Sequence, residues 1–322
     1  MKRRSVLLLA ASLAGSRSFA KEAAYPDRTV RLVVPYPPGG SADLVGRMVA
    51  EKMSLSMGQP VIVDNRGGAS GAIGSDFVAR APADGYTLLM ALSDTHAINP
   101  AVMSHLPYDA VRDFARISLL ATQPMLLVVG QHMGANTLAE FVAAAKRKPG
   151  SVTFASNGKG GLQHLSMELF GRSAGIEMLH VPYKGTAPAL TDVMGGQVDS
   201  VMISLQGAGG NLGAGGLKAI AAASEKRLAV APTIPTFAES GYPQIIVWQW
   251  YGLMAPRGTP EAVIELVNKH ARAAMATQDV ASRLRAAGTE PGSSSPEAFR
   301  QFQLAELQKW SRVAKSVGVR LD

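Results

Sequence analysis

The stretch Leu32-Val33-Val34-Pro35-Tyr36-Pro37-Pro38-Gly39-Gly40-Ser41-Ala42-Asp43 joins a short apolar run to small and hydroxyl residues. The apolar run is typical of a buried β-strand, and the residues after it are typical of a helix start. A helix that begins just beyond a strand tip points free backbone N–H groups and its positive end at that place. The stretch therefore predicts a site for an anion.

The same pattern occurs three more times, in 86–95, 152–161 and 179–186. In each case an apolar run stops at residues such as Ser, Thr, Asn or Gly, which then open a helical segment. Ligands of open α/β sheets bind in the crevice outside the carboxyl ends of the strands. We therefore expect the four loops to face one crevice.

Strand and helix patterns alternate over nearly the whole chain, which predicts an α/β fold of mostly parallel sheets flanked by helices. Two apolar runs, 117–129 and 245–254, are long enough to cross between two lobes. Two crossings predict that lobe 1 is built from both ends of the chain, 21–122 with 250–322, and that lobe 2 is 123–249. The glycine-rich segment 207–216 is expected to be a flexible loop or a frayed helix.

The composition excludes several classes of protein. With 322 residues, 47% hydrophobic and 17% charged, the chain is globular and long enough for two domains. It has no cysteine, which excludes disulfides, thiolate metal sites, a cysteine nucleophile and a lipidated N-terminal cysteine. There is no run of basic residues with interleaved aromatics, so we expect no nucleic-acid partner.

Residues 1–20 resemble an export signal. Basic Lys2 to Arg4 precede an apolar stretch too short to span a bilayer, and Ser18-Phe19-Ala20 is a typical cleavage site. We expect cleavage after Ala20 and a periplasmic mature protein, by either the Sec or the twin-arginine route. Because four basic residues and no acidic residue lie in this segment, its removal lowers the net charge from +8 to +4.

The chain resembles the periplasmic receptors of tripartite tricarboxylate transporters, often called Bug receptors. The resemblance rests on VPYPPGG at 34–40, VDNRGGASG at 63–71, PADGYTLL at 82–89, INP at 98–100, HVPYKG at 180–185, PALTD at 188–192 and GGQVD at 195–199. These motifs follow one another in order over almost all of the mature chain. The resemblance implies a two-lobed Venus-flytrap fold, similar to periplasmic binding proteins, that binds a small organic carboxylate between its lobes.

The resemblance also implies the partners, which are the membrane permease subunits of a tripartite tricarboxylate transporter. One alternative is a receptor that serves the ectodomain of a sensor kinase without a dedicated transporter. Another is an enzyme on the same fold. We expect a monomer.

The loops after the predicted strands supply the candidate ligand-binding residues. Backbone N–H groups of Gly39, Gly40, Ser41, Ala69, Ser70, Gly158 and Gly160 are candidate donors to a carboxylate, because they can replace the water that the anion loses. The full predicted set is Tyr36, Pro38, Gly39, Gly40, Ser41, Asp43, Ala69, Ser70, Ser93, Asp94, Thr95, Asn157, Gly158, Gly160, Gln163, His164, Lys184, Gly185, Thr186 and Ser204.

Several of these residues have a second interpretation. Ser41 and Ser70 are equally typical of helix caps, and Asp94 of either a cap or a ligand contact. Lys184 either neutralises an acid or is a solvated surface lysine. His164 is expected to be a packing histidine rather than a ligand contact.

Two segments depart from the family pattern. Asp94 stands where small residues are commoner, and 203–210 lacks the usual acidic or amide residue followed by Leu-Pro-Ser. An additional carboxylate at the crevice would repel a second acid group of the ligand unless it meets an amine or a hydroxyl. The identity of the ligand therefore stays open.

The sequence lacks the motifs of common enzymes. There is no G-x-S-x-G, H-E-x-x-H, P-loop or complete G-x-G-x-x-G motif, and His96 and His105 have no obvious metal-binding partner. We therefore expect no catalytic residues, no metal and no cofactor.

Overall fold

The computed structural model describes residues 25–213 and 216–321. Its strands are β1 (Val30–Val34), β2 (Val61–Asn65), β3 (Thr87–Leu92), β4 (Phe114–Gly130), β5 (Val152–Ser156), β6 (Met178–Pro182), β7 (Ser200–Ser204), β8 (Leu217–Ala222), β9 (Trp248–Pro256) and β10 (Glu290–Pro291). Its helices are α1 (Ser41–Met57), α2 (Ala72–Ala79), α3 (Asn99–Val102), α4 (Leu138–Arg147), α5 (Leu162–Ala174), α6 (Thr186–Met194), α7 (Leu205–Ala208), α8 (Glu261–Ala276), α9 (Gln278–Ala286) and α10 (Pro296–Val317).

The first sheet contains the predicted strand-loop-helix unit. Its strands lie in the order β2-β1-β3-β9-β4, and β10 pairs with the far side of β4. β2, β1 and β3 are parallel, whereas β9 runs antiparallel to both β3 and β4. α1 begins at Ser41, just beyond the tip of β1, as the opening stretch predicts.

The second sheet continues from the first through β4. Residues 114–124 of β4 pair with β9, and residues 125–130 pair with β7 and β8. β6, β5 and β7 are parallel, whereas β7 and β8 are antiparallel to β4. β4 thus runs from one sheet into the other, as expected for 117–129.

The α/β fold class is confirmed, and the sheets are mixed rather than mostly parallel. β4 leaves the first sheet and β9 returns to it, so these neighbouring strands run in opposite directions. The parallel strands lie on the outer side of each sheet, beyond β9 in the first and beyond β4 in the second. Their carboxyl ends carry the loops at which α1, α5 and α6 begin.

Three apolar clusters hold the helices on the sheets. One joins the first sheet to α1 and α8 through residues such as Leu32, Met48 and Val267. A second joins both sheets to α5 and α10, with Phe154 and Trp310 fully buried, and a third packs α6 on the second sheet. Burial of one such side chain contributes about 1.5–3 kcal/mol, so the strand tips are held by rigid packing.

Some elements differ from expectation or lie outside it. The segment 207–216 is partly helical in its described part, with α7 followed by a 3-10 turn at Gly209–Asn211. A π-helix at Asp94–Ile98 and α3 follow β3, where the pattern of 86–95 predicts the start of a helical segment. The expected signal segment 1–20 lies outside the described residues. None of the helices in 25–213 and 216–321 is long and apolar enough to cross a membrane.

Candidate functional site

One cavity of about 460 Å³ lies where the loops of both sheets meet, beside the crossing strands β4 and β9. The cavity brings together residues far apart in the chain, from Tyr36 to Leu321. Eleven of the twenty predicted site residues line it: Tyr36, Gly40, Ser41, Ser70, Asp94, Asn157, Gly158, Gly160, Gln163, Thr186 and Ser204. The other nine do not: Pro38, Gly39, Asp43, Ala69, Ser93, Thr95, His164, Lys184 and Gly185.

α1 points its N-terminus at the cavity without a capping side chain. Its N-cap is Gly40, and Gly40, Ser41 and Ala42 all line the cavity. Ser and Asp are common N-caps because their oxygens accept hydrogen bonds from first-turn N–H groups. With glycine at this position, the first-turn N–H groups have no such acceptor and are available to another anion.

Asp43 lies beneath this loop rather than in the cavity. Its carboxylate accepts hydrogen bonds from Gly39 N at 3.0 Å, Asn65 Nδ2 at 3.0 Å and Arg47 Nε at 2.9 Å. Burial opposes ionisation, but the bonds from Arg47, Gly39 and Asn65 outweigh it and lower the pKa of Asp43. Asp43 therefore fixes the loop, and the N–H of Gly39 is not the free donor that was predicted.

α5 also begins at a glycine. Its N-cap, Gly161, has no side chain, and Gly161, Leu162 and Gln163 line the cavity. α6 repeats the arrangement with Gly185 as N-cap and Thr186 at the cavity wall. By contrast, the side chains of Thr137 and Ser295 cap α4 and α10, whose first turns do not line the cavity.

The loop before α5 uses several of its own N–H groups. Asn157 N donates to Gln163 Oε1 at 2.7 Å, Gly158 N to Ser156 Oγ at 3.2 Å and Gly160 N to His164 Nδ1 at 3.0 Å. The N–H groups of Gly158 and Gly160 are therefore not the free donors expected from the sequence. The side chains that take them reach back from α5 and β5, which local sequence patterns do not reveal.

His164 packs against aromatic rings of the second sheet, which agrees with the expectation of a packing histidine. Its ring stacks on His180 with 3.8 Å between centroids and lies 6.0 Å from the ring of Phe154. Burial and the neighbouring His164 lower the pKa of His180 to about 4, so His180 stays neutral at physiological pH. Its Nε2 lies 2.7 Å from Ser156 Oγ, which connects the histidine pair to the loop.

The loop before α2 has an unusual backbone. Ala69 and Ser70 have φ angles of 47° and 53°, which cost of order 1 kcal/mol or more for residues other than glycine. The Ser70 carbonyl accepts hydrogen bonds from Asn99 Nδ2 at 2.9 Å and Tyr36 OH at 3.4 Å. These bonds hold Ser70 at the cavity, whereas Ala69 lines a separate cavity with Ile73.

Of residues 93–95, which follow β3, two are buried in the core and one lines the cavity. Ser93 and Thr95 are fully buried, and Thr95 Oγ1 accepts a hydrogen bond from Leu92 N at 3.0 Å. Asp94 is half-buried and lines the cavity, where its Oδ1 accepts a hydrogen bond of 3.4 Å from Leu162 N. Burial raises the pKa of Asp94, although the hydrogen bond from Leu162 opposes the shift.

Pro38 and Lys184 are exposed and lie outside the cavity. Lys184 precedes Gly185, whose φ of 114° turns the chain into α6. The cation on the cavity wall is instead Lys159, an exposed residue that was not in the predicted set.

The crossing strands supply polar groups that were not predicted. Tyr251 OH on β9 donates to Gln123 Oε1 on β4 at 3.1 Å, and Gln123 Nε2 lies 3.3 Å from Gln206 Oε1. Ser41 Oγ donates to the same Gln206 oxygen at 2.7 Å. This hydrogen-bonded chain links α1, both crossing strands and α7. Polar residues inside the apolar runs 117–129 and 245–254 were the sequence signal for it.

Comparisons with known proteins agree with this geometry. Residues 45–319 match the family described as tripartite tricarboxylate transporter family receptor. The chain belongs to this receptor family. Protein BugT of Bordetella pertussis is 37% identical over 298 residues, which are 92% of this chain and 91% of BugT.

Solved structures of the family carry bound carboxylates. Rpa4515 of R. palustris, solved with adipate, is 35% identical and superposes with a TM-score of 0.83 over 92% of this chain and 99% of its own. MatC from Rhodopseudomonas palustris, solved with malate, is 33% identical, with a TM-score of 0.78 over 90% and 99% of the two chains. The chain thus belongs to a family of periplasmic solute-binding receptors.

The described residues hold no cluster of three or more His, Cys, Asp or Glu side chains arranged to bind a metal ion. His96, for which the sequence offers no obvious metal-binding partner, is fully buried against Tyr108 and Phe114. Burial lowers its pKa to about 3, so His96 is a neutral core residue.

Proposed function

We propose that the protein captures a small organic carboxylate in the cavity between two lobes and delivers it to the permease of a tripartite tricarboxylate transporter. The observation that carries the proposal is the pair of helices, α1 and α5, that begin at Gly40 and Gly161 on the wall of one cavity. Neither N-cap glycine has a side chain to cap its helix, and each helix N-terminus favours negative charge.

The energetics of the cavity suit an anion. An ionised carboxylate that leaves water loses several kcal/mol unless donors replace its hydration. Each helix N-terminus contributes about 0.3–1 kcal/mol of charge interaction at an exposed site and up to about 2 kcal/mol at a partly buried one. The first-turn N–H groups of α1 and polar groups such as Ser70 and Asn157 add hydrogen bonds at the wall.

The proposed lobes are 21–122 with 250–322 and 123–249, with the crossings at β4 and β9. Hydrogen bonds from Ser41 to Gln206 and from Leu162 to Asp94 connect groups across the cavity. A ligand that contacts both sides favours the closed arrangement by the difference in its affinity for the two states. The bound carboxylates of Rpa4515 and MatC support the same class of ligand here.

A calorimetric and thermal-shift screen of purified mature protein tests the binding step. We expect at least one small mono- or dicarboxylic acid to bind, and a ligand at a hundredfold excess over its Kd adds about 2.7 kcal/mol of stability. The ligand should be recovered unchanged after incubation, which separates the receptor from an enzyme. The binding proposal fails if no member of a broad panel of carboxylates shifts the unfolding transition.

The delivery step needs a separate test. Ligand uptake by vesicles that contain the cognate permease should depend on the added receptor. If the ligand-loaded protein instead binds a sensor ectodomain and supports no uptake, the binding proposal stands and the transport proposal fails. Sequencing of the exported protein tests the proposed start at Lys21.

A further inference from the structure

Asp94 and Lys159 are the charged side chains among the described residues that line the cavity, and they differ in position. Lys159 is exposed, whereas Asp94 is half-buried. No cationic nitrogen of the described residues lies within ion-pair distance, 4.0 Å, of the Asp94 carboxylate. The interior of the cavity therefore contains a carboxyl group that is not paired with a cationic side chain.

The Asp94 carboxylate lies at the N-terminus of α5, one of the two helices, α1 and α5, on which the proposed function rests. Asp94 Oδ1 accepts the N–H of Leu162 in the first turn of α5 at 3.4 Å. The corresponding N–H groups of α1, after Gly40, donate to no capping side chain. One helix N-terminus thus already faces an acid of the protein, and the other is open to an acid of the ligand.

We propose that Asp94 sets the ligand class: a compound with one carboxylate, bound at α1, and a hydrogen-bond donor, an ammonium or a hydroxyl, directed at Asp94. The inference rests on the proposed function, because it assumes that this cavity binds the ligand. A second ligand carboxylate at the same place would face Asp94 at short range in a cavity of low dielectric, where like charges repel strongly. A donor at that place would satisfy the carboxylate.

The raised pKa of Asp94 supports this assignment. Burial already disfavours one negative charge at this position, so a second one would be less favourable still. Gln249 lines the same wall, and its side-chain amide opposes this shift as a hydrogen-bond donor to Asp94. Because the amide is neutral, it does not supply the positive charge that an ion pair with Asp94 would need.

The experiment compares acids of equal length that differ only at the far end. Isothermal titration at neutral pH and fixed ionic strength uses adipate, 6-aminohexanoate, 6-hydroxyhexanoate and hexanoate, and then the corresponding four-carbon acids. We expect the wild-type protein to bind the amino or hydroxy acid about tenfold or more tightly than the diacid of the same length.

Asp94→Asn is the decisive variant, because it keeps an oxygen for Leu162 N–H and replaces the charge with a donor. We expect it to reverse the order, so that the diacid gains and the amino acid loses affinity by about tenfold each. Asp94→Ser is the second variant if the first does not fold. Asp279→Asn, which removes an exposed carboxylate bonded to Lys52, should leave the order unchanged.

Two results would overturn the inference. One is a wild-type protein that prefers the diacid together with an Asp94→Asn variant that keeps this preference. The other is a reversal of the order by Lys159→Gln but not by Asp94→Asn, which would assign the selectivity to Lys159. If neither wild type nor variant binds any acid in the panel or in the broader screen, the proposed function itself fails.

Discussion

The side chain of Gln123 connects the two sheets at the point where β4 crosses between them. It is 1% exposed and accepts a hydrogen bond from Tyr251 OH. Its amide nitrogen lies 3.0 Å from Thr289 Oγ1 and 3.3 Å from Gln206 Oε1. A buried amide with this many partners is costly to remove, because each partner left behind loses its hydrogen bond.

Gln123→Leu should therefore destabilise the protein. The change keeps the volume but leaves Tyr251 OH without its acceptor, and we expect the free energy of unfolding to fall by about 1–3 kcal/mol. Urea titration measures this change. Gln278→Leu, at an exposed glutamine on α9, is the control and should stay within about 0.5 kcal/mol of wild type. Equal effects of the two substitutions would contradict the role assigned to Gln123.

Asp94 should also make the stability of the ligand-free protein depend on pH. Because burial raises its pKa in the folded protein, the folded state binds a proton more readily than the unfolded chain, and stability falls as pH rises through the raised pKa. The nearby Tyr36, Tyr108 and Tyr251 have raised pKa values and remain neutral, and Lys159 is exposed.

We therefore expect Asp94→Asn to raise the free energy of unfolding at neutral pH and to lose this gain below the ordinary carboxyl range. Urea titrations of wild type and variant across pH measure the difference. Asp279→Asn should show no such gain, because the pKa of Asp279 is lowered by its bond to Lys52. A variant that is less stable than wild type at neutral pH would show that the Asp94 carboxylate is satisfied in the folded protein.

The first turn of α1 is the element on which the binding proposal depends most. Gly40 has φ −82° and ψ 174°, a conformation open to any residue, and a Cβ added there meets no atom within 4 Å. The glycine is therefore not required by the backbone. Its effect is to leave the N-terminus of α1 without an acceptor.

Gly40→Asp should block this site with a carboxylate of the protein itself. The new carboxylate can cap α1, which adds a few tenths of a kcal/mol to stability relative to glycine, and it occupies the place of the ligand carboxylate. We expect ligand affinity to fall by about tenfold or more, because the two anions repel. Gly40→Ala is the matched control, since it adds a Cβ without an acceptor and should keep binding. Loss of binding in both variants would mean that bulk, and not charge, matters at Gly40.

Most helices and strands could be predicted from the sequence, because apolar periodicity and turn residues are local signals. The stretch 32–43 predicts a strand followed by a helix start, and β1 ends at Val34 and α1 begins at Ser41. The site was predicted less completely. Ser41 and Gln206 are 165 residues apart, and the capture of Gly160 N–H by His164 depends on how β5, β6 and α5 pack. Contacts of this kind follow from tertiary packing and have no local pattern.

The two sheets are joined at the crossing strands, and we expect any motion of one sheet relative to the other to occur there. β4 and β9 pair side by side at Pro124 and Trp248, where the chain passes from one sheet to the other. α10 packs against α3 on one side and α5 on the other, and Arg172 on α5 donates to the Ser316 carbonyl. Any opening of the cavity must therefore be absorbed at the crossing and along the contact between α10 and α5.

Ligand binding should make the molecule more compact. Because the ligand contacts both sides of the cavity, it favours the closed arrangement, and small-angle scattering should record a smaller radius of gyration with saturating ligand. Gly40→Asp should need about tenfold or more ligand to reach the same smaller radius. If saturating ligand leaves the radius of gyration of the wild-type protein unchanged, the protein does not close on binding.

Binding of the ligand carboxylate at α1 can be seen in a crystal structure with the tightest-binding carboxylate. We expect one carboxylate oxygen within hydrogen-bond distance of the backbone nitrogens in the first turn of α1, at Ser41 or Ala42. A carboxylate bound outside the 460 Å³ cavity, or bound in it only through side chains and away from α1, would show that α1 is not the anion site.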